Sequence, residues 1–190
     1  MRTKNIMIVG VGGQGSVLAS RILGNLFISQ NYDVKVSEVH GMSQRGGSVV
    51  TFVRYGKKVY SPVIDKGQSD FIVSFEILEA ARWLEYLRPG GQIVTSTQEM
   101  DPMPVLTGAM KYPENLLNKI KDTGVKIDAL DCLKLAEAAG SSKAVNLVLL
   151  GRLSHYFDID YKEWEKVITE CVPAKFLDLN KKAFLSGKDA

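Results

Sequence analysis

The sequence predicts an α/β fold with a mostly parallel sheet, because short apolar runs alternate with segments of helical periodicity. The run at residues 6–9 leads directly into a glycine-rich segment at 10–15, and apolar residues then recur at helical spacing. A second β-rich run at 33–39 completes a strand, helix and strand of the usual length. This order of elements predicts a Rossmann-like domain.

The next segment predicts a β-hairpin insertion in this sheet. Residues 48–55 and 58–61 are β-rich and flank Gly56-Lys57, a glycine-first pair that suits a type II′ turn. Further strands are predicted at 71–75, 92–97 and 125–129, and helices at 76–87 and 113–122. Pro89-Gly90-Gly91 is expected to end the first of these helices, and Glu76 and Glu79 to favour its N-terminus through the helix dipole.

The last third of the chain predicts a helical C-terminal part. Helical periodicity covers residues 144–156, 161–172 and 174–186, with breaks at 158–160 and Pro173. We therefore expect a single domain over residues 1–190, in which a Rossmann-like core (1–140) carries a helical extension (141–190).

Composition excludes several classes of protein. The 190 residues are 45% hydrophobic and 24% charged, with a net charge of +3 and scattered basic residues, so a nucleic-acid surface is not supported. No run approaches the length of a membrane span, and we expect a soluble, cytoplasmic protein. Cys132 and Cys171 are far apart in sequence, which favours two reduced thiols and no metal site.

The glycine-rich segment is a candidate ligand-binding turn. Gly10, Gly12 and Gly15 match GxGxxG after a strand and before a helix, and Gly13 adds a fourth glycine. Such a turn can bring a phosphate to the backbone and to the helix N-terminus, and Glu38 stands roughly where a ribose-binding acid is expected. A stand-alone NAD(P)- or nucleotide-binding protein is therefore one hypothesis, and a purely structural turn is another.

The segment EVHGMSQRGGSV at residues 38–49 argues against an ordinary dehydrogenase, which needs no such loop at this edge. Together with GVGGQG at 10–15 it resembles the gamma domain of the 2-oxoacid:ferredoxin oxidoreductases. The free-standing length of 190 residues is similar to that of the beta subunits of indolepyruvate ferredoxin oxidoreductases. The resemblance extends along nearly the whole chain, through Asp70, Glu76, Glu79, Pro89-Gly90-Gly91, Asn146, Leu150-Gly151, Asn180, Ala183, Phe184 and Gly187.

This resemblance implies a non-cluster subunit of a hetero-oligomer that oxidatively decarboxylates a 2-oxoacid, with coenzyme A as co-substrate and ferredoxin as electron acceptor. It also implies that thiamine diphosphate, magnesium and [4Fe-4S] clusters lie on a larger alpha subunit. The chain itself lacks a GDG-type diphosphate motif and the four cysteines that such a cluster uses. We therefore expect no catalytic residues in this chain alone, and no activity without its partner.

Under the same resemblance, the loop at 40–47 becomes a candidate site for a ligand or a subunit interface. Arg45 offers a planar cation that can bind a carboxylate or phosphate through two hydrogen bonds. Ser43 and Gln44 add neutral hydrogen-bonding groups, and His40 adds an imidazole, the side chain type whose ordinary pKa is nearest neutrality. The ligand would be the 2-oxoacid carboxylate or a coenzyme A phosphate; alternatively, Arg45 pairs with an acidic residue of the partner. The glycines of this loop are Gly41, Gly46 and Gly47.

Overall fold

The computed structural model describes residues 2–39 and 47–190. Within them a single sheet has six strands in the order β2-β3-β1-β4-β5-β6. The strands are β1 (Lys4–Val11), β2 (Asp33–Val39), β3 (Ser48–Gly56), β4 (Ser69–Ser74), β5 (Leu87–Ser96) and β6 (Lys126–Leu130). β1, β4, β5 and β6 pair in parallel, whereas β3 runs antiparallel to both β1 and β2. The predicted α/β fold with a mostly parallel sheet is confirmed.

The described residues also form eight α-helices. These are α1 (Ser16–Ser29), α2 (Ile77–Arg82), α3 (Met103–Leu106), α4 (Leu116–Asp122), α5 (Cys132–Ala139), α6 (Val145–Leu153), α7 (Tyr161–Cys171) and α8 (Leu177–Lys188). The three helices predicted for the C-terminal part correspond to α6, α7 and α8. Helix α5 was not predicted, and α2 is shorter than the segment 76–87, because a separate 3-10 turn follows at Leu84–Tyr86 and Pro89-Gly90-Gly91 belongs to β5.

The hairpin predicted around Gly56-Lys57 is wrong. Residues 58–61 form no strand, and the partner of β3 on this side is β2, so the antiparallel element is β3 itself. The chain after β3 is held by individual hydrogen bonds and not by a strand ladder. The Val59 amide donates to Asp33 Oδ2, and Arg54 Nη1 donates to the carbonyls of Ser61 and Val63. Both edges of β3 are occupied, by β1 and by β2, so the β-rich segment at 58–61 could not pair with β3 as a hairpin.

Helices cover both faces of the sheet, and alternate residues of β1 serve each face. Ile6 and Ile8 pack in the cluster formed with α1 and α5 to α8, whereas Met7 and Val9 pack with α2 and α4. The alternation follows from the period of two along a strand. The division between core and extension at residue 140 stays a prediction. Within the described residues, no helix has the length and apolar character of a membrane span.

Candidate functional site

The boundary between β1 and β4 is where the strand order reverses. From β1 the chain passes through α1 to the β2 side of the sheet, whereas from β4 it passes through α2 to β5 on the other side. The carboxyl ends of β1 and β4 lie side by side, with Val9 opposite Ser74. Open α/β sheets bind ligands in the crevice at such a switch point. This edge of the sheet is therefore the candidate site.

The glycine-rich turn follows β1 at this edge, and two of its glycines are required by close contacts. A Cβ on Gly10 would stand 3.0 Å from Phe75 Cβ, just beyond the end of β4, and 2.6 Å from Gln14 Oε1. A Cβ on Gly15 would stand 2.7 Å from Asn146 Nδ2 of α6, and Gly15 also has a φ of +88°. The third motif glycine therefore lets α1 begin against α6, whereas in a dinucleotide-binding turn this glycine lets the helix pack on a strand.

The side chain of Gln14 spans the turn. Its Oε1 accepts the Val11 amide at 2.7 Å, and its Nε2 lies 3.0 Å from Met100 Sδ in the segment after β5. The Gln14 side chain thereby occupies the Val11 N–H, a backbone donor that an open dinucleotide-binding turn would offer to a ligand. Glu38, the candidate ribose-binding acid, accepts a hydrogen bond from Ser20 of α1 at 2.8 Å. The Gln14 contact with Val11 stabilises the turn from within, and the Glu38 contact joins the end of β2 to α1.

The N-terminus of α1 remains the part of the turn suited to an anion. Its N-cap residue is Gly15, which provides no side-chain hydrogen bond, and the first turn carries no acidic residue. The amide groups of a helix N-terminus and the positive end of its dipole attract negative charge. An anionic group of modest size at this end of α1 is compatible with the observed geometry.

Most of the loop at residues 40–47 lies outside the described residues. These are His40, Gly41, Met42, Ser43, Gln44, Arg45 and Gly46. The residues on either side are at the candidate site: Val39 ends β2, and Gly47 accepts a hydrogen bond from the Gly12 amide at 3.1 Å. The roles of the loop residues stay a prediction, but the loop begins and ends at the same edge of the sheet as the glycine-rich turn.

Two buried glutamates border the crevice after β4. Glu76 is the N-cap of α2, where its carboxylate accepts the amides of Leu78 and Glu79, and Glu79 lies in the first helical turn. The expectation that both favour a helix N-terminus is confirmed. Burial raises the pKa of Glu76, a trend that the two backbone hydrogen bonds oppose.

The glutamates have further partners that come from distant segments. Glu76 accepts the hydroxyl of Tyr112 at 3.3 Å, and Glu79 accepts the Ser48 hydroxyl, Arg82 Nε and Trp83 Nε1. Sequence reasoning missed Tyr112 and Ser48, because the two are 36 and 31 residues from their partners and carry no local signal. This network fixes the start of β3 against α2 beside the glycine-rich turn.

The raised pKa of Glu76 predicts a pH dependence of stability. Between the pKa of an unfolded glutamate and the higher pKa in the fold, the folded protein holds more protons, so the free energy of unfolding falls as pH rises. Glu76→Gln, which cannot ionise, should flatten this slope from about pH 4.5 upward. Urea unfolding followed by circular dichroism at several pH values measures the slope. Glu170→Gln on α7 is the control, and an unchanged slope in Glu76→Gln would contradict the assignment.

The remaining candidates have structural surroundings. Trp164 is fully buried in the core of the α6 to α8 face, whereas Trp83 contacts Glu79. Cys132 is buried in that same core, and burial raises its pKa to about 12. Across residues 2–39 and 47–190, no group of three or more histidine, cysteine and acidic side chains could hold a metal ion.

The sequence of this chain is similar to those of known proteins. A profile of the family described as pyruvate ferredoxin/flavodoxin oxidoreductase matches residues 5–190. Two relatives called indolepyruvate oxidoreductase subunit IorB, from Thermococcus kodakarensis and Pyrococcus horikoshii, are 42% and 41% identical. Each comparison covers 100% of this chain and 96% of the relative. The common gamma subunit of the pyruvate/ketoisovalerate oxidoreductases of Thermococcus litoralis is 24% identical over 76% of this chain and 73% of its own.

Solved structures have the same fold. The gamma subunit of a keto/oxoacid ferredoxin oxidoreductase from Geobacter sulfurreducens superposes with a TM-score of 0.72 and 22% identity, covering 98% of this chain and 96% of its own. The pyruvate oxidoreductase subunit PORC from Thermotoga maritima gives 0.76 and 21%, covering 100% and 97%. The overall fold is therefore one that other chains adopt at low sequence identity.

Proposed function

The chain belongs to the pyruvate ferredoxin/flavodoxin oxidoreductase family, and from this premise we propose that it is the non-cluster subunit of an indolepyruvate:ferredoxin oxidoreductase. The choice of indolepyruvate as the substrate rests on the difference in sequence identity between two sets of relatives. Identity reaches 42% over the full chain with an indolepyruvate oxidoreductase subunit, against 24% over 76% of the chain with a pyruvate/ketoisovalerate subunit. The complex would convert the 2-oxoacid, coenzyme A and oxidised ferredoxin into acyl-coenzyme A, carbon dioxide and reduced ferredoxin in the cytoplasm.

The iron–sulfur clusters of this reaction do not fit the residues of the chain. Loss of carbon dioxide from a 2-oxoacid requires an electron sink such as thiamine diphosphate, and single electrons then leave through iron–sulfur clusters. The chain has two cysteines: Cys132 is a buried core thiol, and Cys171 is half-buried on α7. A four-thiolate cluster therefore has no ligand set here. We assign thiamine diphosphate, magnesium and the [4Fe-4S] clusters to a larger alpha subunit.

The role that we assign to this chain is to complete the substrate pocket at the subunit boundary. The glycine-rich turn brings the N-terminus of α1 to the crevice between β1 and β4, and the 40–47 loop joins strands that meet at the same edge. Arg45 in that loop would hold the carboxylate of the 2-oxoacid or a phosphate of coenzyme A. The alternative for Arg45 is an ion pair with an acidic residue of the larger subunit.

The test is purification of the native complex, followed by iron and thiamine analysis of the complex and of this chain alone. We expect the chain to co-purify with a larger subunit, and indolepyruvate-dependent reduction of ferredoxin to require both. The separate chain should be colourless and inactive, since it lacks ligands for a cluster. Pyruvate and 2-oxoisovalerate as competing substrates test the substrate assignment, because equal turnover of all three would contradict it.

A stand-alone NAD(P)-binding protein is the second hypothesis, and one titration separates it from the first. With Gln14 across the turn, we expect no binding of NAD(H) or NADP(H) by the separate chain tighter than about millimolar, which corresponds to about −4 kcal/mol. Isothermal titration calorimetry measures this affinity. Micromolar, saturable binding that is lost in Glu38→Ala would favour the NAD(P)-binding protein.

A further inference from the structure

We propose that a cavity at the amino-terminal edge of the sheet binds a small multivalent oxyanion of the phosphate class. The cavity has a volume of about 490 Å³, and its walls include three arginines and Asn5 near the start of β1. The glycine-rich turn follows the opposite end of the same strand. At about 3.3 Å per residue, Asn5 and Gly10 are about 17 Å apart along β1. The cavity is thus separate from the candidate site described above.

Arg2, Arg54 and Arg88 are the three arginines of this cavity, and internal contacts hold each one. Asp70, whose side chain is 1% exposed, accepts hydrogen bonds from Arg2 Nη2 and from Arg88 Nε at 2.7 Å. Arg54 donates to Asn5 Oδ1 at 2.9 Å and to two backbone carbonyls after β3. These contacts orient the guanidinium groups before a ligand arrives, which lowers the entropic cost of binding.

The charges around the cavity do not balance. Asp70 is in contact with Arg2, Arg88 and Lys4, the last at 3.6 Å, and Arg54 adds a fourth cation on the cavity wall. These five side chains together carry four positive charges and one negative charge, although Lys4 and Asp70 lie behind the cavity wall and do not form it. A multivalent anion in the cavity would offset the excess and reduce the repulsion between the arginines.

The donor chemistry favours a phosphate-class ligand. A guanidinium has five N–H donors in a planar fork that matches phosphate oxygens, and the internal contacts of each arginine use only part of this set. The cavity wall is formed mainly by polar groups, including Asn5, Gln68 and Thr3. Its volume exceeds that of one phosphate group, so a free diphosphate and the phosphate end of a nucleotide share the required chemistry.

Calorimetric titration of the full chain with sodium diphosphate at low ionic strength tests the proposal. We expect saturable binding of one diphosphate per chain that weakens as salt is added. Arg2→Gln and Arg88→Lys should each weaken binding about tenfold or more, because the first removes a charge and the second removes the planar fork. ATP in a parallel titration separates the sources: tighter binding than diphosphate indicates a nucleotide, and equal or weaker binding indicates the free anion.

Arg21→Gln is the matched control, since Arg21 is an exposed arginine on α1, away from the cavity. It should bind diphosphate like the wild type. The Arg2 side chain is 60% exposed, and Asp70 keeps Arg88 and Lys4 as partners when Arg2 is replaced; a thermal melt checks that each variant is folded. No saturable binding by the wild type, or equal weakening in all three variants, would overturn the proposal. The proposal would also be overturned if the Arg2 and Arg88 variants bind diphosphate normally but associate poorly with a larger subunit. The arginines would then bind an acidic protein surface.

Discussion

Gly151→Ala should destabilise the protein by more than about 4 kcal/mol, or prevent folding, because α6 and α8 cross in backbone contact at this residue. A Cβ on Gly151 would stand 2.0 Å from the carbonyl oxygen of Phe184 and 2.9 Å from the Lys188 amide nitrogen. On the facing helix, a Cβ on Gly187 would stand 1.9 Å from the carbonyl oxygen of Val148. These are backbone atoms, which cannot rotate away, so the methyl group would force the helices apart.

The matched control for this prediction is Gly24→Ala in the interior of α1. Its new Cβ would meet Val36 Cγ2 at 3.5 Å, an ordinary van der Waals contact. Since alanine favours a helix over glycine by about 1 kcal/mol, this variant should be neutral or slightly more stable. Urea unfolding followed by circular dichroism compares the two free energies. A Gly151→Ala variant within about 1 kcal/mol of the wild type would show that the two helices are not packed as described.

Local sequence patterns predicted most of the strands and several helices, because burial on one or two faces imposes a period that a single segment reveals. The second strand, at residues 33–39, was predicted with the observed bounds of β2. The predicted hairpin was wrong because β3 lies between β1 and β2, which occupy both of its edges and leave none for residues 58–61. Pairing across a sheet is not a property of one segment.

The candidate site likewise has one part that the sequence predicts and another that depends on tertiary packing. The glycine-rich turn and its position between β1 and α1 follow from the motif. That Gln14 would fill the turn, and that Asn146 would contact Gly15 from 131 residues away, depends on how α6 packs against α1. The crossing at Gly151 and Gly187 is a further example, since the residues are on separate helices and nothing in either segment identifies the other.

Arg45→Ala should lower turnover or apparent affinity of the reconstituted complex about ten- to hundredfold, because it removes a charge-assisted hydrogen bond of about 1.5–3 kcal/mol. Arg45→Lys keeps the charge but loses the planar fork, so it should assemble normally and still turn over more slowly than the wild type. Size-exclusion chromatography with the larger subunit measures assembly, and reduction of ferredoxin or a viologen dye measures turnover. Arg21→Ala, on the exposed side of α1, is the control for loss of one positive charge.

The pattern across the two assays separates a ligand-binding arginine from an interface arginine. A residue that binds substrate or coenzyme A acts after the subunits have met, so its loss should leave the elution profile unchanged while the rate falls. An arginine that pairs with the larger subunit acts in the encounter itself, and its loss should lower the amount of complex before any substrate is added. If both Arg45 variants assemble and turn over like the wild type, the ligand-binding role is wrong. If neither assembles, the 40–47 loop is an interface element, and the anionic groups of the substrates must be held by the glycine-rich turn or by the larger subunit.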